Sequence, residues 1–251
     1  MTLRLDKYLA DLGVGTRSEV KKLIRAKLVT VNGTVARDPE QKIEELRDEV
    51  CLRGKRLVYA AYEYYLFHKP AGCVSATEDA THRTVLDYLP DTLRHDLFPV
   101  GRLDIDTEGL LLITNDGALA HELLAPARHV PKTYYAKVMG EVTKEDVRQF
   151  AEGLDIGGKT PTKPAELILL SVSEDCSEEG ISEIELTITE GKFHQVKRMF
   201  AAIGHPLTGL RRLRIGCVEL DEALAPGEFR KLTEAEIQGL KRMTNLMEEE
   251  A

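Results

Sequence analysis

The sequence predicts an α+β fold, in which a small helical module with one β-hairpin is followed by a domain with a mostly antiparallel central sheet. Two observations lead to this prediction. From residue 64 onward, runs of strand-forming residues dominate, and few helical patterns fall between neighbouring runs, whereas a doubly wound parallel sheet requires a helix after almost every strand. In addition, apolar and polar side chains alternate over residues 184–188, which is typical of a half-exposed antiparallel strand.

The helical module lies at the N-terminus. Apolar side chains recur at helical spacing over residues 5–12, and Gly13 suits a left-handed C-terminal cap. Thr16 and Glu19 then match a capping box that opens a second helix. The Asn-Gly pair at positions 32 and 33 lies between β-branched residues, and this arrangement is the strongest short signal for a β-hairpin.

Three cations line one flank of the second predicted helix. Arg17, Lys21 and Arg25 recur every four residues, with no acidic residue four positions away to pair with them. The net charge of −8 argues against binding nucleic acid, but residues 1–59 carry +4 and the remainder −12. Local patches attract phosphate over a Debye length of about 8–10 Å. This flank is therefore either a solvated face or a contact surface for RNA phosphates.

The module resembles the alpha-L RNA-binding motif, which occurs in a small-subunit ribosomal protein, in tyrosyl-tRNA synthetases and in several RNA-modifying enzymes. The matching residues are 4–9, 16–19 and 29–33, and the resemblance extends over about residues 1–47. It implies a domain that binds structured RNA. We accordingly predict that the three cations of the helix flank bind the substrate.

A change in composition at residues 60–63 indicates a domain boundary. We predict an RNA-binding module over residues 1–60, a second domain over residues 61–243 and a frayed tail over residues 244–251. Within the second domain we expect strands at residues 64–67, 110–114, 134–138, 165–172 and 181–189, helices at residues 84–89, 119–124, 144–154 and 194–203, and an acidic loop at residues 174–180.

The densest group of carboxylates lies at Asp104, Asp106 and Glu108, which suggests a metal site. With Gly109 they match the first half of a calcium-binding EF-hand loop, but the twelfth loop position holds Asn115 where a glutamate is required. An aspartyl-phosphatase motif fits poorly, because a glycine and a charge interrupt the strand that should precede it. A polar turn before the next strand is a further interpretation. We predict no metal here.

A second charged segment, residues 190–199, joins a strand-ending glycine to an amphipathic helix. On a helical wheel Lys197 lies about 60° from Phe200, at the border of the buried stripe. A lysine at such a border can place its ammonium in a pocket beside a carboxylate. For His194 we expect a hydrogen bond at the start of the helix.

With both segments in view, the chain resembles the pseudouridine synthases, specifically the bacterial ribosomal small-subunit type. The catalytic signature of that family, Gly-Arg-Leu-Asp-x-x-Thr-x-Gly-Leu, is present at residues 101–110. Other matching segments follow in the family's order, at residues 68–75, 132–134, 191–199, 210–216 and 226–230, and residues 162–165 resemble the small-subunit branch. Together with the N-terminal module, the resemblance covers nearly the whole chain.

The resemblance implies isomerisation of a uridine in RNA, in which a carbon–carbon bond to ring carbon five replaces the glycosidic carbon–nitrogen bond without a cofactor or metal. Asp104 would be the nucleophile, attacking either the anomeric carbon or ring carbon six. Lys197 would favour its ionised form. Tyr134 would stack on the uracil, and Arg102 would help to hold the flipped base. From the residues alone, Tyr134 could equally be a strand aromatic, and Arg102 a member of a structural ion pair.

The predicted substrate is one uridine of 16S small-subunit ribosomal RNA, presented in an assembly intermediate to a monomeric enzyme. The alternatives are a large-subunit (23S) rRNA pseudouridine synthase and a non-catalytic RNA-binding factor of ribosome assembly. Asp104, Lys197 and Tyr134 argue against the second alternative, because a protein that only binds RNA needs none of the three.

The remaining features indicate a cytoplasmic protein. The longest stretch without a charged residue has 12 residues, against the ~18–20 that a membrane span requires. Charges near the N-terminus interrupt any apolar secretion signal. The four cysteines are scattered without a C-x-x-C pair, so we expect reduced thiols.

Overall fold

The computed structural model describes residues 2–44, 47–57, 62–91, 93–173 and 180–246, with Ser173 described without its side chain. The chain divides into two compact units: unit 1 is Met1–Glu63 with Leu89–Leu97, and unit 2 is Tyr64–Tyr88 with Phe98–Ala251. Several sequence expectations fall outside the described residues: positions 60 and 61 of the boundary, positions 174–179 of the acidic loop including Cys176, and positions 247–251 of the tail.

Unit 1 combines two helices with short antiparallel strands. The helices are α1 (Leu5–Asp11) and α2 (Arg17–Arg25), and the strands are β1 (Thr2–Arg4), β2 (Val29–Val31), β3 (Thr34–Val35), β4 (Lys42–Glu44), β5 (Val50–Leu52) and β6 (Lys55–Leu57). Strand β1 pairs with β4, and the other four strands form a sheet in the order β3-β2-β5-β6. The apolar faces of both helices pack with β2 and β5 into one core.

Local sequence rules predict unit 1 well. The Glu19 N–H donates to Thr16 Oγ1 at 3.4 Å, and the Glu19 carboxylate accepts from the Thr16 N–H at 2.8 Å, which completes the predicted capping box. Asn32 and Gly33 have φ of 49° and 75°, as a type I′ hairpin turn requires. Gly13, with φ of 69°, follows α1 in the predicted left-handed conformation.

The cationic flank of α2 is only partly free of acidic partners. Arg17 and Arg25 are exposed. The Lys21 ammonium, in contrast, lies 4.0 Å from the carboxylate of Asp6, whose side chain is buried. The expectation of three unbalanced cations is therefore wrong for Lys21, because its acidic neighbour comes from α1 rather than from α2.

Residues 89–97, which the sequence assigns to the second domain, belong to unit 1. The Arg94 guanidinium, 4% exposed, binds Asp96 at 2.8 Å and approaches Asp11 of α1 to 3.9 Å. These contacts account for the return of this segment to the helical module.

Unit 2 is built on one large sheet. Its strands are β7 (Tyr64–Lys69), β8 (Phe98–Pro99), β9 (Glu108–Thr114), β10 (Lys132–Met139), β11 (Glu166–Ser173), β12 (Ile181–Ile188), β13 (Leu207–Ile215), β14 (Val218–Glu219) and β15 (Phe229–Lys231). Its helices are α3 (Gly117–Leu124), α4 (Lys144–Glu152), α5 (Gln195–Ala202) and α6 (Glu234–Thr244). The strand order is β11-β12-β10-β13-β9-β7-β15, and among the described strands of this sheet only β13 and β9 pair in parallel. The prediction of an α+β fold with a mostly antiparallel sheet is confirmed.

In unit 2 one predicted helix is wrong, and five elements were not predicted. Residues 84–89 contain only a 3₁₀ turn at Leu86–Tyr88, because the Arg83 carbonyl and the Val85 N–H bond the backbone of Val74, both at 3.0 Å, and keep the start of the segment extended. Strands β8, β13, β14 and β15 and helix α6 had no corresponding prediction. No helix in the described part of the chain has the length and apolarity of a membrane span.

The parallel junction between β9 and β13 depends on one glycine. Gly109 pairs with Arg212, and a side chain at Gly109 would lie 2.3 Å from the Arg212 carbonyl oxygen. Its φ of 103° is also one that other residues rarely adopt. The close approach fixes the start of β9, and with it the loop that carries the three carboxylates.

Candidate active site

An open cleft of about 650 Å³ lies in unit 2, on the loop that precedes β9. Six parts of the chain contribute to its walls: residues 74–79, 101–107, 124–126, the start of β10, residues 188–197 and strand β13. The two segments that carry the sequence resemblance, distant along the chain, therefore line a single cleft.

The Lys197 ammonium joins two carboxylates in this cleft. It lies 3.0 Å from Asp104 Oδ2 and 2.6 Å from Asp106 Oδ1. Although partial burial opposes it, hydrogen bonding to both carboxylates raises the pKa of Lys197, and the same bond lowers the pKa of Asp106. Lys197 thus bridges two carboxylates, whereas the sequence reasoning had assigned it only one.

His194 contacts the same aspartate. Its Nε2 lies 3.5 Å from Asp104 Oδ1, and its ring stacks on that of Phe193. The expected hydrogen bond at the helix start is absent: the His194 backbone has φ of 48°, whereas a capping side chain requires extended backbone. The Gln195 side chain instead accepts from the Lys192 N–H at 2.8 Å.

Lys69 anchors the loop that carries Asp104 through hydrogen bonds to backbone carbonyls. Its side chain is fully buried at the end of β7, and its ammonium donates to the carbonyls of Pro70, Asp104 and Thr107 at 3.0, 3.0 and 2.8 Å, with Ile105 at 3.4 Å. Burial lowers the pKa of Lys69. The lysine lies within the matching segment 68–75, but the sequence reasoning gave it no role.

Strand β10 supplies the aromatic floor of the cleft. Tyr134 lines it with 8% of its surface exposed, opposite Arg212 of β13. Arg212 donates from Nε to the Leu110 carbonyl at 2.7 Å, while its Nη2 is buried without a hydrogen-bond partner among the described residues. The position of Tyr134 is compatible with stacking on a bound base. Arg212 was missed, because nothing in its local pattern distinguishes it from an exposed strand cation.

Arg102 precedes the aspartate loop and lines the cleft with an exposed side chain. Among the described residues it has no carboxylate within ion-pair distance. Its guanidinium is therefore available for a ligand in the cleft, whereas the alternative of a structural ion pair has no partner in the described part of the chain.

The partly buried amine of Lys132, at the start of β10, should make stability depend on pH. Desolvation, with repulsion from Arg212, lowers its pKa from 10.5 to about 8. Between these values the unfolded chain binds more protons than the folded one, so this group makes the free energy of unfolding rise with pH. We expect Lys132→Met to remove that rise, in urea unfolding followed from about pH 7.5 to about pH 10. Parallel profiles for variant and wild type would contradict the assignment.

Comparisons with known proteins agree with this geometry. The family model described as RNA pseudouridylate synthase matches residues 63–202, and that of the S4 domain matches residues 3–50. An uncharacterized RNA pseudouridine synthase of Bacillus subtilis is 45% identical over 94% of this chain and 97% of its own length. The ribosomal small subunit pseudouridine synthases A of Pasteurella multocida and Escherichia coli are 42% and 41% identical, each over 94% of this chain and 98% of their own. A crystal structure of a pseudouridylate synthase, 39% identical, aligns with 95% of this chain and 99% of its own at a TM-score of 0.64.

Proposed function

Because the chain belongs to the RNA pseudouridylate synthase family and isomerises uridine to pseudouridine in RNA, we propose that its substrate is one uridine of 16S small-subunit ribosomal RNA. The proposal is supported by the names of relatives that are 39–42% identical over nearly the whole chain. A large-subunit target is the alternative within the family. The enzyme acts as a cytoplasmic monomer on an assembly intermediate of the small subunit.

The nucleophile in this proposal is Asp104. The observation that carries the assignment is the contact of Asp104 with the Lys197 ammonium at 3.0 Å inside the cleft, because a carboxylate must be ionised to attack. Asp104 is part-exposed, so the substrate can reach it once the uridine has been flipped out of its stack. In this proposal Lys197 stabilises the negative charge of the Asp104 carboxylate, Tyr134 stacks on the uracil, and Arg102 holds the flipped nucleotide.

The reaction is an isomerisation, so every atom of the uridine is retained. Attack by the Asp104 carboxylate, on the anomeric carbon or on ring carbon six, assists cleavage of the glycosidic bond. The detached uracil rotates, its carbon five bonds to the anomeric carbon, and the bond to Asp104 breaks, which releases the carboxylate. The proton on carbon five is then removed, with Tyr134 as the proposed acceptor, and nitrogen one gains a proton. The cleft supplies a fixed nucleophile and a stacking surface for the rotating ring.

The target uridine can be identified in a strain that lacks the gene. We expect carbodiimide adduct mapping of its ribosomal RNA to show loss of one pseudouridine stop in the 16S molecule, restored by the wild-type gene but not by one encoding Asp104→Asn. A stop lost from 23S rRNA instead would establish the alternative target, and an unchanged adduct pattern would contradict both.

RNA binding by the N-terminal module is a further part of the proposal. We propose an RNA-binding domain over residues 1–60 and a catalytic domain over residues 61–243, followed by a short tail over residues 244–251. In the first of these, Arg17, Lys21 and Arg25 contact RNA phosphates.

Replacing these three cations with Ala should weaken RNA binding and flatten its salt dependence. The slope of log affinity against log salt should shrink by about 0.7–0.9 for each lost phosphate contact, with the smallest share from Lys21, which already faces Asp6. Filter binding of a 16S rRNA transcript at several salt concentrations measures the slope. An unchanged slope would show that the flank is an ordinary solvated face.

A further inference from the structure

Phe193 projects into solvent at the rim of the cleft. With 71% of its side chain exposed, it is the most exposed large apolar residue in the described part of the chain. It contributes to the walls of the cleft, immediately before α5. A phenylalanine so exposed gains little from burial. Its position at the cleft therefore calls for a role in contact with a ligand.

Neighbouring groups hold the Phe193 ring in place. It stacks on the imidazole of His194, with ring centroids 3.8 Å apart and planes at 20°. His194 keeps a left-handed backbone, φ 48°, which is uncommon for a residue other than glycine. The Phe193 carbonyl accepts a hydrogen bond from the Arg198 guanidinium at 3.2 Å. The surrounding structure thus holds an aromatic pair in place at a strained backbone position, which is a recurrent feature of functional sites.

Cations lie beside the pair, although Lys197 is bonded to Asp104 and Asp106, and Lys192 lies 4.0 Å from Glu190. Lys192, Lys197 and Arg198 lie within five residues of Phe193, and two of them line the cleft. Cations attract the RNA backbone, and aromatic rings beside them stack on unpaired bases. An exposed ring among cations is therefore suited to single-stranded nucleic acid rather than to an apolar protein surface.

We infer that the Phe193 ring, supported by His194, is a stacking surface for an unpaired base of the RNA substrate that adjoins the target uridine. The inference rests on the proposed binding of the target uridine over Tyr134, which is 8% exposed on the floor of the cleft. Flipping one nucleotide uncovers the faces of its neighbours in the strand. The ring at the rim is placed to cover one of those faces, which would stabilise the flipped state.

The test uses two single-stranded RNA oligonucleotides, each with one uridine flanked by 2-aminopurine on its 5′ or its 3′ side. The full-length wild-type enzyme should quench the fluorescence of one of the two, because stacking on an aromatic ring quenches this base. Phe193→Leu should lose the quenching and bind the same oligonucleotide roughly 5- to 100-fold more weakly, as expected for loss of one stacked base. Phe193→Trp should retain both.

The matched control is Leu170→Ala, which shortens a side chain that is 52% exposed on β11, away from the cleft. It should bind like the wild type. In single-turnover conversion of a 16S rRNA transcript with early-assembly proteins, Phe193→Leu should raise the half-saturating enzyme concentration and leave the maximal rate within about threefold.

Two results would overturn the inference and leave the activity of the enzyme in place. The first is a wild-type enzyme that converts the transcript but quenches neither oligonucleotide. The second is a Phe193→Leu variant with wild-type binding and a reduced maximal rate, because the ring would then act through His194 on Asp104 and not on the RNA. Loss of conversion by the wild type itself would instead contradict the proposed 16S substrate.

Discussion

Asp104→Asn should abolish isomerisation while leaving RNA affinity and thermal stability nearly unchanged. The amide has almost the size and shape of the carboxylate but is a very poor nucleophile, so we expect a rate loss of about 10⁴-fold or more. The variant loses the ion pair with Lys197, whose partners are both part-exposed, and such a pair contributes at most about 1 kcal/mol. The melting temperature should therefore fall by no more than a few degrees.

The measurement is tritium release from carbon five of labelled uridine in an rRNA transcript with early-assembly proteins, at enzyme excess. Asp106→Asn is the matched control, because Asp106 binds the same ammonium at 2.6 Å but occupies a variable position of the family signature. It should keep substantial activity. A carboxylate pair or a metal site would make both variants comparably inactive. Full release by Asp104→Asn within the wild-type time course would refute the nucleophile assignment.

The sequence predicted those features that depend on interactions within a few residues. The capping box of Thr16 and Glu19, and the hairpin turn at Asn32, are decided by side chains and backbone groups at most three positions apart. The failure at residues 84–89 has a longer-range cause. Apolar spacing there resembles a helix, but the backbone groups of Arg83 and Val85 bond those of Val74 and keep the start of the segment extended.

Contacts across the chain were predicted only where a family signature marked both partners. Asp104 and Lys197 are 93 positions apart, and each stands in its own matching segment. The contact of Lys197 with Asp106 was missed, because it depends on a turn in which the Thr107 N–H donates to the Asp104 carbonyl at 3.1 Å. Lys69 was missed for a different reason: three of its four partners are backbone carbonyls 35 to 38 positions away, and the residue types at those positions do not indicate a backbone acceptor.

Lys69→Met should both destabilise unit 2 and impair catalysis. Methionine fills the space of the lysine stem, but it removes the buried donor to three loop carbonyls. The Asp104 and Ile105 carbonyls still accept from the N–H groups of Thr107 and Gly72 at 3.1 and 2.6 Å, so the Thr107 carbonyl is the one most affected. An unsatisfied buried acceptor costs about 1–3 kcal/mol, part of which is recovered because the charge no longer has to be desolvated. We expect a net loss of about 1–3 kcal/mol and a melting temperature about 2–10 °C lower.

The effect on catalysis should exceed the fraction of enzyme that unfolds. Three of the four carbonyls belong to the loop that presents Asp104, and a displacement of about 1 Å at a reacting group can cost about 100-fold in rate. The effect on catalysis alone can be measured by single-turnover tritium release at about 20 °C, a temperature at which circular dichroism should show the variant to be folded. A lower melting temperature together with a lower rate distinguishes Lys69→Met from Asp104→Asn. The latter variant should lose the rate and keep the melting temperature.

Lys192→Met is the matched control for stability. The Lys192 ammonium also donates to two backbone carbonyls, those of Thr160 and Pro161 at 2.8 and 2.6 Å, but its side chain is 26% exposed. Water can replace the lost donor there, so the cost should stay below about 1 kcal/mol. Equal shifts in melting temperature for the two variants would show that burial of the donor is not what makes Lys69 important. A wild-type melting temperature for Lys69→Met would show that the loop of Asp104 holds its conformation without the lysine.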